Sequence, residues 1–160
     1  YNYQISCVHI PRNGEEGLKG VITNRVLYDA YPYPDKPVDL TIKGECIKDI
    51  LEFSYSYLEF ESDTLKSTLI DETLCTFWQG FNYTIDMNLA PFNRVTLDGI
   101  DLNGLYRITM TDYCYRNYQS YLEDAIIHQT SESTMSTLIA KNLSDKHYSI
   151  ELINNFKVIK

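Results

Sequence analysis

Two stretches of the chain alternate apolar and polar residues with a period of two. In one, Val38, Leu40 and Ile42 alternate with Asp39, Thr41 and Lys43. In the other, Tyr106, Ile108 and Met110 alternate with Leu105, Arg107, Thr109 and Thr111. Successive side chains of a strand point to opposite faces, so both read as strands with one buried face. Gly44 breaks the first strand. Ile47, Ile50, Leu51, Tyr55 and Leu58 then recur at helical spacing, which predicts an amphipathic helix over residues 45–60. Strand-type residues also fill 3–10 and 81–86, and one or two strands are expected over 148–159. Val95 and Leu97 lead into Asp98-Gly99, a tight-turn signal. Thr23 stands at an N-cap position before a short helix face of Val26, Leu27 and Ala30. Pro32, Pro34 and Pro37 exclude a helix after it and hold a stiff, extended turn. Leu122, Ala125 and Ile126 predict a helix, and Ser133 with Ser136-Thr137 opens another through Leu138, Ile139 and Leu143. Residues 11–20 and 61–76 read as loops. Strands and helices are mixed without a regular strand–helix–strand repeat, so the expected class is α+β, a mixed sheet with flanking helices.

A chain of 160 residues, 44% hydrophobic and 22% charged, is expected to be one domain, residues 1–160, with its own core. Its net charge of −8 argues against a nucleic-acid polymer as partner, which calls for a basic face. A nucleoside, read by stacking and hydrogen bonds, remains compatible. No apolar run approaches the roughly 18 residues of a membrane span. The chain opens directly in a strand-like pattern with no leader visible, and is expected to be a piece of something longer. Cys7, Cys46, Cys75 and Cys114 are scattered without a C-x-x-C pair, which disfavours a zinc site and favours four free, mostly buried thiols.

No catalytic constellation is visible. His9, His128 and His147 form no metal-binding pair, and the chain has no G-x-S-x-G elbow. His9 lies in a strand and is expected as a core or pocket histidine; His128 and His147 are expected at the surface. Binding chemistry is better represented. Tyr31-Pro32-Tyr33-Pro34-Asp35 and Asp112-Tyr113 each put a tyrosine beside a strand end, as two walls of one pocket for a planar ligand. Each ring stacked on a base contributes about 1–3 kcal/mol. With 14 tyrosines in the chain, plain packing is the ordinary alternative. Arg12, in the glycine-bearing loop, offers a forked donor or is simply solvated.

The chain resembles the C-terminal domain of the 5′-nucleotidase family, in particular its 2′,3′-cyclic-nucleotide 2′-phosphodiesterase/3′-nucleotidase branch. The resemblance runs through Gly20-Val21-Ile22-Thr23 to the aromatic turn ending at Asp35. It continues in the Lys48-Asp49-Ile50-Leu51-Glu52 helix, in Gly80-Phe81-Asn82-Tyr83-Thr84-Ile85-Asp86, in Arg94-Val95, and in Tyr106-Arg107-Ile108 to Asp112-Tyr113. It implies a nucleoside- or nucleotide-binding specificity domain without catalytic or metal residues of its own. Hydrolysis would fall to a calcineurin-like N-terminal metallophosphatase domain holding two divalent metals, whose signature motifs are absent here. Tyr33 and Tyr113 would be the rings that sandwich the base. Asp35 would stand where an Asn commonly contacts the base, and Arg12-Asn13-Gly14 would be the arginine–glycine loop near the substrate.

Two departures stand out. Asp35 for Asn removes two amide donors and adds a charge. Tyr113-Cys114-Tyr115-Arg116-Asn117-Tyr118 lacks the glycine pair usual after the second ring, so side chains at 117 and 118 threaten to fill the pocket. The alternative is therefore an interaction or surface-binding module of the same fold with a degenerate pocket. The resemblance implies an extracytoplasmic place (periplasmic, secreted or cell-surface), whereas four free thiols favour the cytoplasm.

Overall fold

The structure is a computed structural model that describes residues 5–9, 21–62, 64–68, 75–145 and 155–159. The two alternating stretches form adjacent strands: β2, Pro37–Lys43, pairs antiparallel with β8, Leu105–Thr111, with Leu40 opposite Ile108. β1, Ile5–His9, lies parallel to β8 on its other side and carries β5, Thr76–Gln79, at its outer edge. β9, Ile126–Thr130, closes the opposite edge, giving the order β5-β1-β8-β2-β9. A second sheet has the order β10-β6-β7, from β6, Asn82–Asp86, β7, Val95–Asp98, and β10, Phe156–Ile159. β3, Leu58–Glu61, and β4, Thr64–Ser67, make a hairpin. Four α-helices are described: α1, Asn24–Ala30; α2, Gly44–Ser56; α3, Asp112–Asn117; and α4, Met135–Asp145. The fold is α+β, with mixed sheets and flanking helices.

The core forms where the apolar faces of β2 and β8 meet α2. Val38, Leu40, Ile42, Ile108 and Met110 join Ile47, Ile50 and Leu51 in one buried cluster. Burying each such side chain contributes about 1.5–3 kcal/mol. On the opposite face of β2, Asp39 is also buried, and Arg107 from β8 grips its carboxylate bidentately at 3.1 and 2.6 Å. The strand-breaking Gly44 has a second duty. It starts α2 directly off β2, and a Cβ there would lie 2.2 Å from the Asp101 carbonyl oxygen.

Three expectations are corrected. The helix over 45–60 ends at Ser56, and Leu58 opens β3. Leu58 keeps the helical spacing, but Arg94 Nη1 donates to the carbonyls of Tyr55, Ser56 and Leu58 at 3.0, 3.2 and 3.0 Å and caps α2 from outside. The loop over 61–76 contains β4 and leads into β5 at Thr76. The helix around Leu122, Ala125 and Ile126 is instead a single 3-10 turn, Gln119–Tyr121, followed by β9. All five residues of β9 are exposed, so no burial period marks it as a strand. Thr23 does cap α1, accepting from the Val26 N–H at 3.3 Å. The helix after Ser133 is present as α4, and the C-terminal strand as β10.

Candidate functional site

Residues from five parts of the chain enclose a cavity of about 110 Å³. Val8 and His9 come from the end of β1, Phe77 from β5, Thr111 from the end of β8 and Met135 from the start of α4. The fifth part runs from Ala30, the last residue of α1, to Asp35. The prolines keep this segment extended, and the backbone pins it at three points. The Tyr31 N–H donates to the Leu27 carbonyl at 2.9 Å, the Met135 N–H to the Asp35 carbonyl at 2.8 Å, and the Asp112 N–H to the Lys36 carbonyl at 2.8 Å. The Asp112 carboxylate in turn accepts from the Lys36 N–H at 2.9 Å. A turn tied in this way presents Tyr33 and Asp35 in fixed places, which lowers the ordering cost of a bound ligand.

His9 is the centre of the polar end. Its Nε2 lies 3.7 Å from Asp35 Oδ2, its Nδ1 lies 3.4 Å from Thr111 Oγ1, and the Cys114 sulfur is 3.9 Å from the same Nδ1. The Tyr113 ring lies against the imidazole, with centroids 4.7 Å apart at 47°. Burial pushes the Asp35 carboxyl above the ordinary carboxylate range; His9 opposes this shift, Asp112 adds to it and Arg116 opposes it. The Cys114 thiol is lowered by its hydrogen bond with Cys7, with further help from His9 and Thr111, against the effect of burial. Burial raises Cys7. Cys114 is only 1% exposed, so its sulfur is a floor beneath the site rather than an accessible nucleophile.

The structure separates the expected site residues. Tyr33 and Asp35 line the cavity together. Tyr113 is not among its lining residues and joins it through His9. His9, expected as a core or pocket histidine, lines the cavity. Arg12 and Asn13 lie outside the described residues, as does His147. His128 is at the surface, 2.8 Å from Thr41 Oγ1. Asn117 and Tyr118, the two side chains that threatened the pocket, turn elsewhere. The Asn117 amide donates to the Tyr113 carbonyl at 2.9 Å, and Tyr118 is buried with its hydroxyl 3.1 Å from Ser54 Oγ.

Phe77 and Met135 come from segments that no local pattern ties to the turn. α3 was also missed, yet it carried a readable signal: Thr111 accepts from the Cys114 N–H at 3.2 Å as N-cap, and Asp112 pairs with Arg116 at i,i+4. Among the described residues, no group of three or more His, Cys, Asp or Glu is placed to hold a metal ion. The four cysteines are free thiols, three buried and Cys46 partly so. No helix among the described residues is long and apolar enough to cross a membrane.

Residues 2–123 match the family model described as 5′-nucleotidase, C-terminal domain. The chain belongs to this family. An assigned 5′-nucleotidase from Staphylococcus aureus, solved with α-ketoglutarate, superposes with a TM-score of 0.87 at 22% identity, over 99% of this chain and 34% of that one. A 5′-nucleotidase precursor from Thermus thermophilus gives 0.77 at 18% identity, over 98% and 32%. The sulfate thiohydrolase SoxB from the same organism, in complex with glycerol, gives 0.67 at 19% identity, over 98% and 29%. The chain thus spans about a third of the proteins it resembles. These likenesses establish the fold; SoxB shows that the fold alone does not fix the substrate. No curated protein sequence matches.

Proposed function

We propose that this domain grips a nucleoside or nucleotide and presents its phosphate to a metallophosphatase domain of the same protein. The base enters the cavity against Tyr33, and His9, backed by Tyr113, forms the facing polar wall. Residues 1–160 act as the specificity domain, and hydrolysis belongs to two divalent metals in the partner domain. The domain's contribution is positional: binding energy at the base holds a distant phosphate for attack. The phosphoester can be a 2′,3′-cyclic, 3′- or 5′-nucleotide, since the partner domain decides that point. An extracytoplasmic setting follows the family.

The carrying observation is the shared cavity of Tyr33, Asp35 and His9: one exposed aromatic face beside a confined polar end. Asn117 and Tyr118, turned away from it, support the nucleotide reading over the degenerate-pocket alternative. The test is an NMR titration with adenosine and cytidine. A single domain is expected to bind with Kd on the order of 1 mM, about −4 kcal/mol. Saturable shifts at Tyr33, His9 and Asp35, lost in Tyr33→Ala, support the reading; absence of any shift at millimolar nucleoside refutes it.

A further inference from the structure

The cavity has a direction. Tyr33 is 48% exposed at its mouth, whereas the side chains of His9 and Asp35 are 13% and 14% exposed at its inner end. Its volume of about 110 Å³ is below the roughly 150 Å³ of a cavity that holds benzene, so it admits the edge of a base and no sugar. A nucleoside therefore enters base first, with its sugar and any phosphate outside. The edge that reaches the inner end is the one farthest from the sugar, where adenine and cytosine carry an amino group and hypoxanthine and uracil a carbonyl.

At the inner end, Thr111 and His9 already face protein partners: Thr111 Oγ1 accepts from the Cys114 N–H, and His9 Nδ1 faces Thr111 and Cys114. His9 Nε2 is turned towards Asp35 at 3.7 Å, longer than a hydrogen bond. The Asp35 carboxylate is the strongest polar group there, and when ionised it only accepts.

We propose that Asp35 sets the base specificity of the cavity: its carboxylate accepts a hydrogen bond from an exocyclic amino group and repels a carbonyl in the same place. Amino-bearing nucleosides, adenosine and cytidine, are thereby selected over the keto-bearing inosine and uridine. The inference rests on the nucleoside reading above. A His9 imidazolium acting as the dominant donor would give the reverse order.

The experiment is a titration of the 160-residue chain with all four nucleosides at pH 7.5, for the wild type, Asp35→Asn and Tyr33→Ala. Adenosine is expected to bind at least about tenfold tighter than inosine, and cytidine at least about tenfold tighter than uridine, because a site built for a donor rejects its isostere. Asp35→Asn presents both a donor and an acceptor, and brings each pair to within about threefold. Equal affinities in the wild type, an inosine preference, or a preference that survives Asp35→Asn overturns the proposal. Adenosine and inosine binding equally, both dependent on Tyr33, defeats this inference alone. If none of the four binds, the nucleoside reading fails and this inference with it.

Discussion

Two polar networks in this domain are built on opposite terms. In the first, the Glu52 carboxylate in α2 accepts from the N–H groups of Arg94 and Val95, both at 2.9 Å. The Arg94 guanidinium donates back to the Tyr55 and Ser56 carbonyls at the end of α2, to the Leu58 carbonyl in β3 and to the Leu89 carbonyl at 3.2 Å. Both side chains are buried, and the contacts are of ordinary hydrogen-bond length. In the second, His9 meets Thr111, Asp35 and Cys114 at 3.4, 3.7 and 3.9 Å, beside an open cavity. The first is a closed knot that ties the C-terminus of α2 to β7. The second holds charge-bearing groups loosely around a space. The first network faces only the protein, while the second also borders a cavity.

Substitutions can break this contrast from either side. The largest effect is expected for Glu52→Ala, which strands two buried N–H groups and costs about 2–6 kcal/mol. Urea unfolding measures it, and the folded protein should retain its nucleoside affinity. Arg94→Met uncaps α2 and is expected to cost about 2–4 kcal/mol in the same assay, since hydrogen bonds from charged groups are the stronger kind. If either change abolished binding in protein that is still folded, the two networks would not be separate. Tyr33→Ala should do the reverse: unfolding shifts by about 0.5 kcal/mol or less, as for an exposed position, while binding weakens by about 1–3 kcal/mol through lost stacking.

The smallest effect concerns pH. Burial raises the Asp35 carboxyl, so the folded state holds that proton more tightly than the unfolded chain does. Its stabilising contribution is complete below the ordinary carboxyl range near pH ~3.9. It is lost as pH rises through the raised folded value. Asp35→Asn is therefore expected to raise the thermal midpoint slightly at pH 7, with the difference vanishing near pH ~3. A larger gain at acid than at neutral pH would contradict this account of the site.

Legibility in the sequence follows the same divide. β8 appears where the alternation placed it, residues 105–111, and β2 covers the 38–43 pattern with Pro37 added at its start, because a strand with an apolar buried face records its burial in its own residues. The end of α2 does not: Leu58 continues the helical spacing, and Arg94, whose guanidinium takes up the carbonyls where the helix ends, lies 36 positions away from it. β9 is exposed throughout and records nothing. In the site, the proline-fixed turn made Tyr33 visible, the family resemblance pointed to Asp35, and the strand position of His9 left it between core and pocket. Phe77 and Met135 reach the cavity only through the sheet order and the placement of α4. Tyr113 is the second residue of a helix capped by Thr111, and its ring lies against His9 rather than lining the cavity, a geometry that spacing along the chain cannot express.

The most direct measurement is a set of intermolecular NOEs between bound adenosine and the domain. The account predicts contacts from the base protons to the rings of Tyr33 and His9, with the ribose protons near solvent. Base contacts confined to another surface, or ribose protons buried against His9, would contradict it.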